Sequence, residues 1–196
     1  MVGQIDSRAC VEPGVRLGNG TKVWAGAHVR SGATIGTECV VGDGVFIDSG
    51  VTVGDRCKIQ NGAQLFAPAS LGAGVFIGPG VVLTNDKYPR AVAPDGSVRH
   101  AGDWVASGVT VDEGASLGAR ATVLAGVRVG AWSMVGAGAL VAKDVLPFAL
   151  VTGVPAAQVG WVGRAGLSLV AAPAGLVCPA TGTRYEERDG LLHELP

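Results

Sequence analysis

From Ile5 to Leu83 every sixth position is aliphatic: Val11, Leu17, Val23, Val29, Ile35, Val41, Ile47, Val53, Ile59, Leu65, Leu71 and Ile77 all fall on the beat. Four places after the beat stands a small or β-branched residue, as at Ala9, Thr21, Ala27, Ala33, Cys39, Val51, Cys57, Ala63, Ala69 and Val81, commonly with Gly just before it. A period of six fits neither the 3.6-residue helix nor a long strand alternating every second residue. It fits short strands joined by turns and stacked as the faces of a parallel β-helix. A single unit cannot bury its aliphatic side chain, but stacked coils form continuous Val, Ile and Leu ladders with small residues at the corners. The stretch "VVGDGVFIDSGVTVGDRCKI" is a plain example.

After Leu83 the beat stops. By count it resumes out of phase at Val105 and holds through Val111, Leu117, Val123, Val129, Val135 and Val141, so one six-residue step is lengthened by 16. Three hexads per coil then give 14 units before the break and 7 after, or 7 coils from Ile5 to about Leu146, with the insertion inside the fifth. Coils stacked like neighbouring strands predict a prism roughly 30 Å tall. The expected division is a β-helix over residues 1–146 with a loop insertion at 86–104, then a C-terminal extension and small hairpin-like tail over 147–196. Turn signals at Thr181-Gly182 and Asp189-Gly190 mark that tail. Function concentrates on loops ejected from a rigid scaffold, which draws attention to "VLTNDKYPRA", Val82 to Ala91.

Composition narrows the picture. The 196 residues are 48% hydrophobic, which excludes a disordered chain, and 32 glycines with only 5% aromatics argue for many tight turns. A formal charge of −1 without a basic stripe points away from nucleic acid or an anionic membrane and toward a small target. Gln4, Asp6, Arg8 and Glu12 interrupt any apolar leader and no run is long enough to cross a bilayer, so a cytoplasmic location is expected. Cys10, Cys39, Cys57 and Cys178 lack zinc-site spacing and should stay reduced, with Cys39 and Cys57 as small core residues.

At "TNDKYPR" (Thr84 to Arg90), "TVDEGASLGARATVLAGVRVG" (Thr110 to Gly130), "VGAGALVAKDV" (Val135 to Val145) and "VTGVPAAQVGWV" (Val151 to Val162) the chain resembles the hexapeptide-repeat acyltransferases. Within them it resembles the branch that acetylates amino groups on nucleotide-linked 3-amino sugars. The resemblance covers Ile5 to about Val162. It implies an all-β, left-handed parallel β-helix that assembles as a homotrimer with active sites between subunits. It also implies acetyl-CoA as donor, bound along the groove between subunits beside the later coils. The dTDP- or UDP-linked amino sugar would approach from the other end, near the projecting loop, in the service of polysaccharide biosynthesis. Many relatives carry a histidine general base where this chain has Asn85, and the sugar branch has asparagine there. Some relatives end in paired cysteines suggestive of a zinc ribbon; Cys178 stands alone, so no metal is expected. Arg120 departs from the Asn that relatives commonly have in the corresponding "GANAT" string.

Acyl transfer needs a neutral amine, donors for the developing oxyanion and a route for the surplus proton. Asn85 cannot take a proton near neutral pH, but its amide can orient an amine for direct attack on the thioester; the bland alternative is a turn residue leaving the coil. Asp86 is the candidate proton acceptor beside it. Tyr88 and Arg90 either shape the loop or bind the sugar and its phosphates, and His100 is the histidine placed to approach substrate. Gln60 and Asn61 occupy outward positions that face either a groove or solvent. Backbone N–H groups at Gly126, Gly136 and Gly138 are candidate oxyanion donors, and Ala137, Ala142, Lys143 and Arg164 candidate contacts for the CoA nucleotide.

Other classes compete. An O-acyltransferase would need a base that Asn85 cannot be. A zinc carbonic anhydrase on the same prism needs converging histidines, and the 3 here are scattered. A non-enzymatic scaffold would leave the polar loop unexplained.

Overall fold

The structure, a computed structural model, describes residues 3–173 and 175–196. Two-residue strands stack in parallel on three faces, each pairing with the strand 18 residues away, or 40 residues away where the pair spans the loop. The first face runs from Gln4–Ile5 through Lys22–Val23, Val40–Val41, Lys58–Ile59, Phe76–Ile77 and Ser116–Leu117 to Met134–Val135. The second runs from Cys10–Val11 to Leu140–Val141 and the third from Arg16–Leu17 to Arg128–Val129. The fold is a left-handed parallel β-helix.

In each strand the beat residue points inward. Val29, Ile47, Leu65, Leu83, Val123 and Val141 form one such ladder, all 0–1% exposed. Full burial of one such side chain stabilises the fold by about 1.5–3 kcal/mol. The small residues fill the corners: Ala27, Ala33, Cys39, Cys57, Ala63 and Ala121 are fully buried. Between strands the chain turns through a left-handed position. Gly126 takes it at φ +81°, whereas Arg120 and Trp132 hold it at φ +58° without that freedom.

The break differs from its count. Val105 is 90% exposed and lies in no strand; the ladder resumes at Thr110–Val111, which pairs with Ser70–Leu71. Valine at 105 is in phase by coincidence, because the chain has not yet returned to the prism. The step from Leu83 to Val111 is therefore lengthened by 22 rather than 16. The spacing then shortens: Val145 bridges to Val129 only four residues after Val141, and Val151 pairs with Val135 above it.

The excursion leaves and returns at one point, where the Ser107 N–H donates to the Asn85 carbonyl at 2.8 Å. Inside it, Val92 and Val98 bridge around a turn in which the Asp95 carboxylate accepts from the Ser97 N–H and hydroxyl. A short helical turn follows at Ala101–Asp103.

Beyond Val145, Ala149–Thr152 extends the first face and Ala157–Trp161 pairs with it antiparallel. Val170–Ala172, Gly175–Val177, Arg184–Arg188 and Leu191–Glu194 then form an antiparallel sheet of four strands, more than the hairpin its turn signals suggest. Its small core of Cys178, Tyr185 and Leu192 packs against Phe148 and Trp161. Among the described residues no helix is long and apolar enough to cross a membrane.

Candidate active site

The loop is anchored through its first residues. Thr84 Oγ1 donates to the Val123 carbonyl at 3.1 Å, and Asn85 Nδ2 donates to the Ala67 carbonyl at 2.6 Å. A carbonyl oxygen only accepts, so the atom facing Ala67 must be the amide nitrogen. Asn85 is half-buried, and its Oδ1 has no partner among the described residues yet is not sealed from solvent. The side chain therefore presents a fixed acceptor at the neck of the loop.

Beside this neck is a cleft of about 340 Å³ lined by Asp86, Lys87, Ser107, Gly126, Ala142 and Lys143 among others. Asp86, Lys87 and Ser107 also line a second hollow of about 330 Å³, with Tyr88, Arg99 and Trp104. A wider hollow of about 770 Å³ lies between Tyr88, Arg90, Pro94 and Arg99 on the loop itself. Glycine at the cleft wall is favoured by the φ of +81° at Gly126; a Cβ there would also stand 2.6 Å from Ser107 Oγ, a contact that rotation of the hydroxyl can relieve. Lys87 and Lys143 have no ion-pair partner among the described residues, whereas Asp144 accepts from the Arg128 N–H at 2.8 Å.

Asp86, Gly126, Ala142 and Lys143 thus share one cleft. Tyr88 and Arg90 share the outer hollow, while His100 is exposed on the short helical turn and lines none of the three. Gln60, Asn61, Gly136, Ala137 and Gly138 lie on a different edge of the prism, in the turns between the first and second faces. There the Asn61 Oδ1 accepts from the Asp43 N–H at 3.2 Å. Arg164 sits on the third edge, its guanidinium 4.6 Å above the Trp132 ring and 2.6 Å from Glu194. That partner raises its pKa further, and the side chain serves as a strap between coil and tail.

The three glycine N–H groups are already used. Gly126 donates to Ser107, Gly136 to Val151 and Gly138 to Ala119, at 2.8–3.1 Å, so none is free to hold an oxyanion. The N–H of Ala125, in the cleft wall, has no partner among the described residues. Sequence reasoning missed Ala125, Lys87 and Ser107. Lys87 stood inside the quoted string, but Ser107 is found only by locating where the loop returns. Among the described residues no three His, Cys, Asp or Glu side chains converge on a metal position.

Residues 14–49 match the family described as bacterial transferase hexapeptide (six repeats), and residues 32–67 and 108–143 match the hexapeptide repeat of succinyl-transferase. The second match stops and restarts on either side of the loop. A dTDP-3-amino-3,6-dideoxy-alpha-D-galactopyranose 3-N-acetyltransferase from Aneurinibacillus thermoaerophilus is 38% identical over 85 residues, 43% of this chain and 44% of that protein. A galactoside O-acetyltransferase from Lactococcus lactis is also 38% identical over 85 residues, 43% of this chain and 39% of that protein. The matched segments span less than half the length of these two relatives. A solved UDP-N-acetylglucosamine acyltransferase from Bacteroides fragilis shares the fold, with a TM-score of 0.66 and 22% identity over 82% of this chain and 61% of that one. With the six-residue ladder, the ejected polar loop and these matches together, the chain is built of bacterial-transferase hexapeptide repeats and is similar to acetyltransferases that carry them.

Proposed function

We propose that this protein transfers the acetyl group of acetyl-CoA to the 3-amino group of a dTDP- or UDP-linked amino sugar. The observation that carries the reading is the fixed amide of Asn85, whose free Oδ1 stands at the loop neck beside a cleft with two unpaired lysines. A neutral amine has N–H groups to donate and one lone pair to attack with. Donation of one N–H to Asn85 Oδ1 aims the lone pair and replaces a bimolecular encounter with an oriented one.

Nitrogen attacks the thioester carbonyl, the C–S bond breaks and the thiolate leaves. The surplus proton goes to Asp86, to the departing thiolate or to water. The Ala125 N–H, unlike those of the three glycines, is available to the oxyanion. Lys87 and Lys143 offer charge to the phosphates of CoA, while Arg90 offers charge and Tyr88 a hydroxyl to the nucleotide sugar. The string Thr84–Arg90 and the named activity of the Aneurinibacillus relative support an amino-sugar acceptor.

The functional unit of this reading is a homotrimer acting in the cytoplasm, in polysaccharide biosynthesis. Three-fold packing would set the Asn85 edge of one copy against an edge of the next, which is how Gln60, Asn61 and Gly136–Gly138 would join the site. The test is the product: ¹³C-acetyl-CoA with a dTDP-linked 3-amino hexose should yield a labelled amide by NMR. A labelled ester, or no transfer to any amine, would overturn the reading.

A further inference from the structure

Two coils below the loop neck, on the same edge of the prism, the Asp48 carboxylate is largely covered, with 17% of its side chain exposed. Its Oδ1 accepts from the Ser49 N–H at 2.8 Å and from the Arg30 guanidinium at 2.8 Å. Its Oδ2 accepts from the Ala67 N–H at 3.3 Å. The Ala67 carbonyl, on the other side of the same Cα, is the acceptor for Asn85 Nδ2. One residue is therefore gripped twice, by Asp48 from below and by Asn85 from above.

Caps on the turn N–H occur on other edges too, as where Asp55 Oδ1 accepts from the Thr37 N–H at 2.7 Å; what sets this place apart is that Ala67 is held through both its N–H and its carbonyl. The N–H at this point of the turn has no backbone acceptor, and at Ala125, further along the edge, it has no partner at all among the described residues. Beneath Asn85 it is capped by carboxylates: Ser31 by Glu12 Oε2 at 2.8 Å, Ser49 and Ala67 by Asp48. Arg30 ties the two acids together, 2.8 Å from Asp48 and 3.9 Å from Glu12, and His28 Nε2 lies 2.8 Å from Glu12. Asp48 lines none of the hollows that surround the loop; Asn85 is not in their linings either, but the next residue, Asp86, lines two of them.

We infer that Asp48 is a positioning residue for the acceptor amine: by holding Ala67 it sets the direction of the Asn85 amide, and so which of its two polar atoms meets the substrate. The inference rests on the acetyl-transfer reading above, but its geometric half stands apart from activity. Without Asp48 the Ala67 segment can turn, Asn85 loses its fixed acceptor and the amide can flip, presenting NH₂ where Oδ1 is needed. Substrate would still bind, but misaimed.

The experiment is a double-mutant cycle on the full chain with Asp48→Ala, Asp48→Asn, Asn85→Ala and the paired variants. Each is read by kcat and KM for the amine acceptor, and the variants that keep Asn85 are read also by its ¹⁵N side-chain NH₂ signals. Asp48→Ala should lower kcat about tenfold with KM within about threefold. It should also move the two Asn85 amide-hydrogen shifts toward those of a free side-chain amide, and change kcat by less than about twofold once Asn85 is already Ala. Asp48→Asn, nearly isosteric, keeps the comparison open should the alanine variant not fold. Additive losses, or unchanged Asn85 signals, would overturn the inference while leaving the acetyl-transfer reading intact. Amine transfer absent in the wild type, with the Asn85 signals still responding to Asp48, would remove the catalytic role and leave only the structural link.

Discussion

Asn85 donates its side-chain amide to the Ala67 carbonyl 2.6 Å away, across one coil of the prism. This contact separates positioning from base catalysis. A carboxylate at 85 could take a proton but could not donate to Ala67, and its charge would face a carbonyl dipole. Asn85→Asp should therefore be no better than Asn85→Ala, each lowering kcat about 100-fold, whereas a base role would make the Asp variant the more active of the two. His100→Ala, on an exposed turn outside the clefts, should stay within about twofold of the wild type in steady-state kinetics.

Lys87 and Lys143 face one cleft without acidic partners among the described residues. If they meet CoA phosphates, Lys143→Ala should raise KM for acetyl-CoA about tenfold and leave KM for the amine unchanged. Added salt should shrink the difference, since exposed charge pairs are screened over about 10 Å at 0.1 M. Titration of CoA binding by calorimetry at two salt concentrations checks this.

The ladders were legible because burial of one side chain per hexad leaves a strict mark on the sequence. Val105 shows the limit: phase alone cannot tell a ladder rung from a loop valine, and only the pairing of Thr110 with Ser70 separates them. Asn85 and Asp86 drew attention because a polar string breaks the apolar rhythm, and Lys143 because the resemblance puts CoA beside the later coils. Which residues share an edge depends on position modulo three hexads, which divides Gln60 and Gly136 from Asn85. The glycine N–H groups looked available from sequence, yet each is consumed by the coil next to it, and that bond is invisible without coordinates.

Tight stacking gives a stability prediction that needs no substrate to test. A Cβ on Gly118 would lie 2.5 Å from the Ala137 backbone nitrogen in the next coil, where nothing flexible can yield. Gly118→Ala should destabilise by about 1–3 kcal/mol in denaturant unfolding, as overpacked cores do. Gly62→Ala meets no neighbour within 4 Å and suffers only its left-handed φ of +70°, so it should cost about 1–2 kcal/mol.

Acid should loosen the edge beneath the loop. Burial alone would raise the Asp48 carboxyl, but the N–H groups of Ser49 and Ala67 and the Arg30 guanidinium outweigh it and hold the group below its ordinary 3.8. Glu12 is likewise lowered from 4.5, first by the Ser31 N–H and then by His28. Groups depressed on folding contribute stability that is present above their unfolded values and is lost as pH falls through the folded ones. Asp48→Asn should therefore melt below the wild type at pH 7, and the gap between the two melting temperatures should narrow as pH falls below 3.8 through the lowered folded value of Asp48.

The measurement that bears most directly on the whole account is release of free thiol from acetyl-CoA, offered dTDP- and UDP-linked 3-amino sugars with their 3-hydroxy counterparts as controls. The account predicts turnover with an amine, none with the matching hydroxyl, and loss of that turnover in Asn85→Ala. Turnover with the hydroxyl sugars, or undiminished turnover by Asn85→Ala, would contradict it.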